Sequence, residues 1–207
     1  MLPNAPKSNE TDLLLWQRFR EGDEAAFAVI FDRFSPILYR YGSSITVHKE
    51  IVEDSIQDSF VDIWRTKERL SDTDNIGFYL FKVIRRKIYK NLQSKQLSTE
   101  DSLADLWGNA LATIENSVET NLINDESETQ RRLAIAHVIL QLPPRQREVI
   151  ELRFYQGFSY EQIAEIMGIN LQSVHNNVHR ALTFLRGHLT DDLWALLLVI
   201  LMEHRLD

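Results

Sequence analysis

Between Leu171 and Leu185 the chain presents a row of hydrogen-bonding side chains with no acid among them. Gln172, His175, Asn176, Asn177, His179, Arg180 and Thr183 alternate with apolar residues spaced for burial, Val174, Val178, Ala181, Leu182 and Leu185. In a helix this spacing separates an inner stripe from an outer face. Arginine and asparagine pair bidentately with guanine and adenine edges in the DNA major groove, so the outer face has the chemistry of base readout. His175 and His179 lie one helical turn apart, as in a two-histidine metal site. No glutamate stands between them as in a zinc protease helix and no third ligand is evident, so no metal and no cofactor are expected. Acids are plentiful elsewhere, but none is paired with a nucleophile and there is no phosphate-binding glycine loop. The chain is not expected to be an enzyme.

The elements that must position this face are written just upstream. Ser159 followed by Gln162 fits a capping box and opens a first helix with Ile163, Ala164, Ile166 and Met167 as its inner side. Gly168 supplies the left-handed turn, Ile169 plugs the corner and Asn170 caps the second helix. Together these features predict a helix-turn-helix over residues 159–186 that docks on double-stranded DNA.

A second chemical grouping lies in the first half of the chain. From Asn75 to Leu97 the charged residues are Lys82, Arg85, Arg86, Lys87, Lys90 and Lys95, all basic, preceded by Phe78, Tyr79 and Phe81. From Ser98 to Gln130 they are all acidic, among them Glu100, Asp101, Asp105, Glu115 and Glu119. Such segregated blocks predict separate surfaces with separate partners, which the net charge of −7 conceals.

The scarcity of glycine (7) and proline (5) in 207 residues favours an all-helical chain over a sandwich or barrel. With no cysteine, a disulfide scaffold and a cysteine zinc site are excluded, and a reducing cytoplasm is the expected location. The first residues lack a signal-peptide pattern. The apolar run Leu193 to Met202 is half of the roughly 20 residues that a membrane span needs, so no membrane insertion is expected.

Hydrophobic periodicity divides the rest. Asp12 to Arg20 reads as a short helix with Leu14, Leu15, Trp16 and Phe19 near one face. Asp23 caps a second helix with Phe27, Ile30, Phe31, Phe34, Leu38 and Tyr41 inward; Pro36 predicts a kink or a division, and Gly42-Ser43-Ser44 an end or a loosening. A third helix, Lys49 to Leu70, buries Ile51, Val52, Ile56, Phe60, Ile63 and Trp64 and turns Glu53, Asp54, Gln57, Asp58 and Asp62 the other way. A fourth spans Ile76 to Gln93, with Phe81 expected in the core. The expected organisation is all-α: a tail at 1–11, a helical domain at 12–95, an acidic linker at 96–130 with a short helix near Leu103 to Leu111, and a helix-turn-helix domain at 131–190. Within the last, Arg131 to Leu142 and Arg145 to Tyr155 are helices separated by Pro143-Pro144. A C-terminal helix, 191–207, is apolar on nearly every face and is expected to be buried on nearly every face. It either packs on one of the domains, holds them in a closed state, or docks an inhibitory partner.

Leu142-Pro143-Pro144-Arg145-Gln146-Arg147-Glu148-Val149-Ile150-Glu151-Leu152-Arg153-Phe154, followed by Gly157-Phe158-Ser159-Tyr160-Glu161-Gln162-Ile163-Ala164, resembles region 4 of bacterial RNA polymerase sigma factors. Gly22-Asp23-Glu24-Ala25-Ala26-Phe27 resembles the start of their region 2. Asp54-Ser55-Ile56-Gln57-Asp58-Ser59-Phe60, continuing to Trp64, resembles their core-binding helix. Two domains with no third between them resemble the small extracytoplasmic-function group. The resemblance implies that Glu53, Asp54, Gln57, Asp58 and Asp62 grip core polymerase through a basic partner helix. It implies that Phe78 and Tyr79 stack on unpaired bases of the minus-ten element while Lys82, Arg85, Arg86, Lys87 and Lys90 hold the backbone. Gln172, His175, Asn176, Asn177, His179 and Arg180 would read the minus-thirty-five element. The family often places asparagine near position 86, where a flipped base is read, and Arg86 departs from that pattern. The linker would thread polymerase channels that later hold RNA, and an anti-sigma factor is an implied partner. Against this stand a conventional helix-turn-helix regulator that binds a palindrome as a dimer, and a nucleic-acid enzyme.

Overall fold

The computed structural model describes residues 11–95 and 126–203, and every regular element among them is helical. The chain divides into two compact units, one carrying the four helices up to Ser94 and the other the five helices from Glu126 on. Residues 96–125 of the acidic stretch, where a short helix is expected near Leu103, lie outside the described residues. No helix among the described residues is long and apolar enough to cross a membrane.

In the first unit α1 (Asp12–Arg20) is capped by Thr11 and buries Leu15, Trp16 and Phe19, whereas Leu14, expected beside them, is exposed. Asp23 accepts from the backbone N–H groups of Ala25 and Ala26 at 2.8 and 3.1 Å and starts α2 (Glu24–Ile45). Pro36 does not divide that helix. Ile30 and Phe34 before it and Leu38 and Tyr41 after it are all buried, and that burial outweighs one lost backbone bond. Phe31, expected on the same stripe, is exposed.

Gly42 is not an end either; it lies inside α2. A Cβ there would sit 2.5 Å from Val52 Cγ1 and 3.1 Å from Ile88 Cδ1, so the glycine marks close approach of α2 to α3 (Lys49–Thr66) and α4 (Ile76–Ser94). The third helix stops earlier than its pattern predicts, passing into a 3-10 turn at Lys67–Arg69. There Lys67 Nζ sits 4.3 Å from the centre of the Trp64 ring.

The start of α4 is held from several sides. Asn75 Oδ1 accepts from Phe78 N–H at 2.8 Å, and Asp12 accepts from Ile76 N–H at 3.1 Å and from Arg33 at 2.8 Å. The Trp16 indole donates to the Ser71 carbonyl at 2.9 Å. Farther along, Asn91 Nδ2 donates to Ser55 Oγ at 3.0 Å and ties α4 to α3.

The second unit begins with α5 (Glu126–Leu140), which starts inside the stretch read as linker. Pro144 at the first turn opens α6 (Pro144–Ile150), where a missing N–H costs nothing, and a π-helical turn, Glu151–Tyr155, continues it. Then come α7 (Tyr160–Met167), α8 (Leu171–His188) and α9 (Asp191–Glu203). The last helix departs from expectation. Leu197 and Leu201 are buried in a core with Ile135, Leu142, Ile150, Ala181, Leu185 and Leu189, but Leu198, Val199 and Met202 are exposed. A helix lying on a domain surface is covered on one side only, however apolar its far side.

Candidate nucleic-acid interface

The helix-turn-helix is built by local hydrogen bonds. Ser159 Oγ accepts from Gln162 N–H at 3.2 Å while Gln162 Oε1 accepts from Ser159 N–H at 2.9 Å, a complete capping box. Gly168 ends α7 at φ +64°, and nothing lies within 4 Å of where its Cβ would be. Asn170 Oδ1 accepts from Ser173 N–H at 2.7 Å and caps α8. Ile163, Ile166 and Met167 are buried, as are Val174, Val178, Ala181 and Leu185; Ala164 and Ile169 are half-buried. Each fully buried Val or Leu contributes about 1.5–3 kcal/mol, which fixes the rotation of α8 about its axis.

That rotation leaves Gln172, His175, Asn176, His179, Arg180 and Thr183 exposed. Gln172 Nε2 donates to Asn176 Oδ1 at 3.0 Å, so two of the base-reading candidates are already tied together. Asn177 does not join them. It is half-buried, beside Val178, and its Nδ2 donates to the Ser173 carbonyl at 2.8 Å. An amide bonded to its own helix backbone is less available to a base edge than those of its exposed neighbours.

Tyr160 and Arg153 were not expected at this interface. The Tyr160 and His175 rings lie 4.3 Å apart at 30°, and the Arg153 guanidinium lies 4.8 Å from the centre of the Tyr160 ring. Glu161 stands beside them. Its carboxyl is held below the ordinary range first by its own backbone N–H and then by the Ser159 side chain, with smaller contributions from the charges of His175 and Arg153. The spacing of Tyr160 and His175 across a turn carries no periodic signal, so only the fold reveals the pair.

In the first unit Glu53, Asp54, Gln57, Asp58 and Asp62 are all exposed on α3. Lys87 reaches across from α4, 3.0 Å from Asp62 and 3.3 Å from Asp58, and these carboxylates, Asp62 first, raise its pKa. Lys95 lies 3.8 Å from Asp54. Lys87 therefore sits with the acidic α3 face, not apart from it among the cations expected on a phosphate backbone.

Along α4, Lys82, Arg86 and Lys90 are exposed, and Phe81 is buried as expected. Phe78 is half-buried with Lys82 Nζ 5.2 Å from its ring centre, and the Arg85 guanidinium lies 4.4 Å from the centre of Tyr89. Tyr79 packs edge-on against the fully buried Trp16 at 5.2 Å, and burial raises its hydroxyl pKa against a smaller opposing effect of Arg86. Its ring is an anchor to the core, which leaves Phe78 as the better stacking surface of the two expected.

Comparison with known proteins places both units. Residues 30–97 match the family model for sigma-70 region 2, and residues 132–185 match that for sigma-70 region 4. The ECF RNA polymerase sigma-E factor of Haemophilus influenzae is 28% identical over 178 residues, covering 83% of this chain and 91% of its own. The ECF RNA polymerase sigma factor BldN of Streptomyces coelicolor is 25% identical over 194 residues, 92% of this chain and 70% of its own. Two solved structures share the fold. CnrH in complex with the cytosolic domain of CnrY has a TM-score of 0.58 at 21% identity, covering 86% of this chain and 96% of that one. The sigma factor RpoE in complex with the anti-sigma factor NepR, from Bartonella quintana, has a TM-score of 0.55 at 20% identity, covering 78% and 95%.

Proposed function

We propose how this chain, which belongs to the extracytoplasmic-function family of RNA polymerase sigma factors, divides promoter recognition between its two units. A sigma factor directs core polymerase to specific promoters and initiates transcription there. In this chain α8 reads the minus-thirty-five element through Gln172, His175, Asn176, His179 and Arg180. The observation that carries this reading is their joint exposure on a helix whose start is capped and whose opposite face is buried.

The exposed acids of α3 bind a basic surface on core polymerase. The outer side of α4, with Phe78, Lys82, Arg85, Arg86 and Lys90, meets the minus-ten element, where opened strands offer bases to stack on and phosphates to hold. Lys87 serves the same side once the acids of α3 are taken up by polymerase. Bond-forming chemistry belongs to the polymerase, and the protein works where the polymerase does, in the cytoplasm. Because CnrH and RpoE were solved with CnrY and with an anti-sigma factor, an anti-sigma protein is proposed as a further partner of this chain.

The test is Arg180→Ala in the assembled holoenzyme. Binding to a cognate promoter weakens by about 1–3 kcal/mol, the value of a good base contact, while binding to unrelated DNA changes far less. Unchanged promoter selectivity would refute the assignment of α8.

A further inference from the structure

We propose that Arg153, Tyr160 and His175 form a stacked column that holds the His175 imidazole as the reader of one base in the upstream promoter element, with Tyr160 and Arg153 as positioning residues. The proposal rests on the reading of α8 as the recognition helix and names a specificity device within it.

The column draws on three elements. Arg153 comes from the π-helical turn, Tyr160 from the first position of α7 and His175 from the first turns of α8. Each lower member is held independently of DNA. Arg153 Nη1 donates to the Phe158 carbonyl at 2.8 Å, which leaves the guanidinium 4.8 Å from the Tyr160 ring centre. The backbone of Tyr160 is set by the capping box around Ser159 and Gln162. The His175 ring then rests 4.3 Å from that of Tyr160.

An exposed side chain that must find one orientation to bond a base loses rotamer freedom on binding. Stacking in the free protein removes part of that loss beforehand. His179, one turn farther along, is also exposed but has no ring contact among the described residues. The two histidines therefore differ in preorganisation.

The chemistry of the contact follows from the imidazole. In the neutral ring one nitrogen carries a donor, and in the charged ring both do. In the major groove guanine, adenine and thymine offer acceptors, whereas cytosine offers only a donor. Either form has an N–H to give to guanine, adenine or thymine, whereas cytosine can be met only by the acceptor nitrogen of the neutral ring.

Holoenzyme containing the full chain is tested on a promoter library randomised across the upstream element, and the base preference at each position is read from transcript counts. His175→Ala flattens the preference at one position by about fivefold or more, the order of one lost hydrogen bond. Tyr160→Leu flattens that same position and leaves the others in place. Tyr160→Phe keeps it, because the ring and not the hydroxyl makes the stack, and His179→Ala leaves it intact. Thermal unfolding of each variant is followed in parallel. If Tyr160→Leu spares the preference, lowers all positions evenly or is matched by Tyr160→Phe, the column is refuted while the recognition-helix reading stands. If His175→Ala relaxes no position, the column and the base-reading role of His175 fall together.

Discussion

Replacing Gly42 by alanine sets two effects of known size against each other. Alanine in a helix interior is favoured over glycine by about 0.5–1 kcal/mol. Here the new Cβ would lie 2.5 Å from Val52 Cγ1, 3.3 Å from Val52 Cγ2 and 3.1 Å from Ile88 Cδ1. Both γ carbons of Val52 crowd the site, so rotating that side chain exchanges one contact for the other. A valine in a helix also has a single strongly preferred rotamer. Val52 and Ile88 are fully buried, so neither can swing into solvent. Overpacking of this kind costs about 1–3 kcal/mol, and after the helix gain the net loss should be roughly 0–2.5 kcal/mol. Val52→Ala alone also destabilises, but in the Gly42→Ala background it relieves the clash. The double variant should therefore be more stable than the sum of the single losses by about 0.5–3 kcal/mol. Urea unfolding reads this in a Trp107→Phe/Trp194→Phe background, where Trp16 and Trp64 report on the first unit. A Gly42→Ala protein more stable than its parent would show the helix gain acting alone, and would refute the close approach of α2 to α3 and α4.

Gly168→Ala should behave differently, because its Cβ meets nothing within 4 Å and only the backbone at φ +64° is strained. The expected cost is about 1–2 kcal/mol, with Gly168→Asn losing less, and equal stability of all three in urea would contradict the left-handed turn. Asp23 gives a pH signature. Its carboxyl is held below its ordinary value of 3.8, first by Arg18 and then by the backbone N–H groups it caps. A depressed folded pKa contributes stability that is complete above the unfolded value and is lost as pH falls through the folded one. Asp23→Asn should therefore shrink the loss of stability in acid below about pH 4, and an unchanged acid limb in thermal melts would count against the cap.

The parts legible in the sequence are those whose causes are local. Ser159 and Gln162, Gly168, and Asn170 with Ser173 act over three residues or fewer, and all appear in the structure as their types predict. The same holds for Asp23 at the start of α2. What was not legible depends on neighbours distant in the chain. Gly42 reads as a breaker until Val52 and Ile88 are seen against it. Lys87 belongs to a basic run, yet its partners Asp58 and Asp62 come from another helix. Tyr79 has the composition of a stacking residue but meets Trp16. Asn177 differs from Asn176 by one position, enough to turn its amide from the outer face to the Ser173 carbonyl. The apolar run of α9 indicates how much surface wants burial, but not how much of it a neighbour covers.

The central claim is that this chain confers promoter choice on core polymerase. It is tested most directly by transcription from a random-sequence promoter library with purified core polymerase, with and without the full-length protein. The account predicts transcripts that appear only with the protein and start downstream of a shared two-part element. Transcription no different from core polymerase alone, or starts with no common upstream sequence, would contradict it.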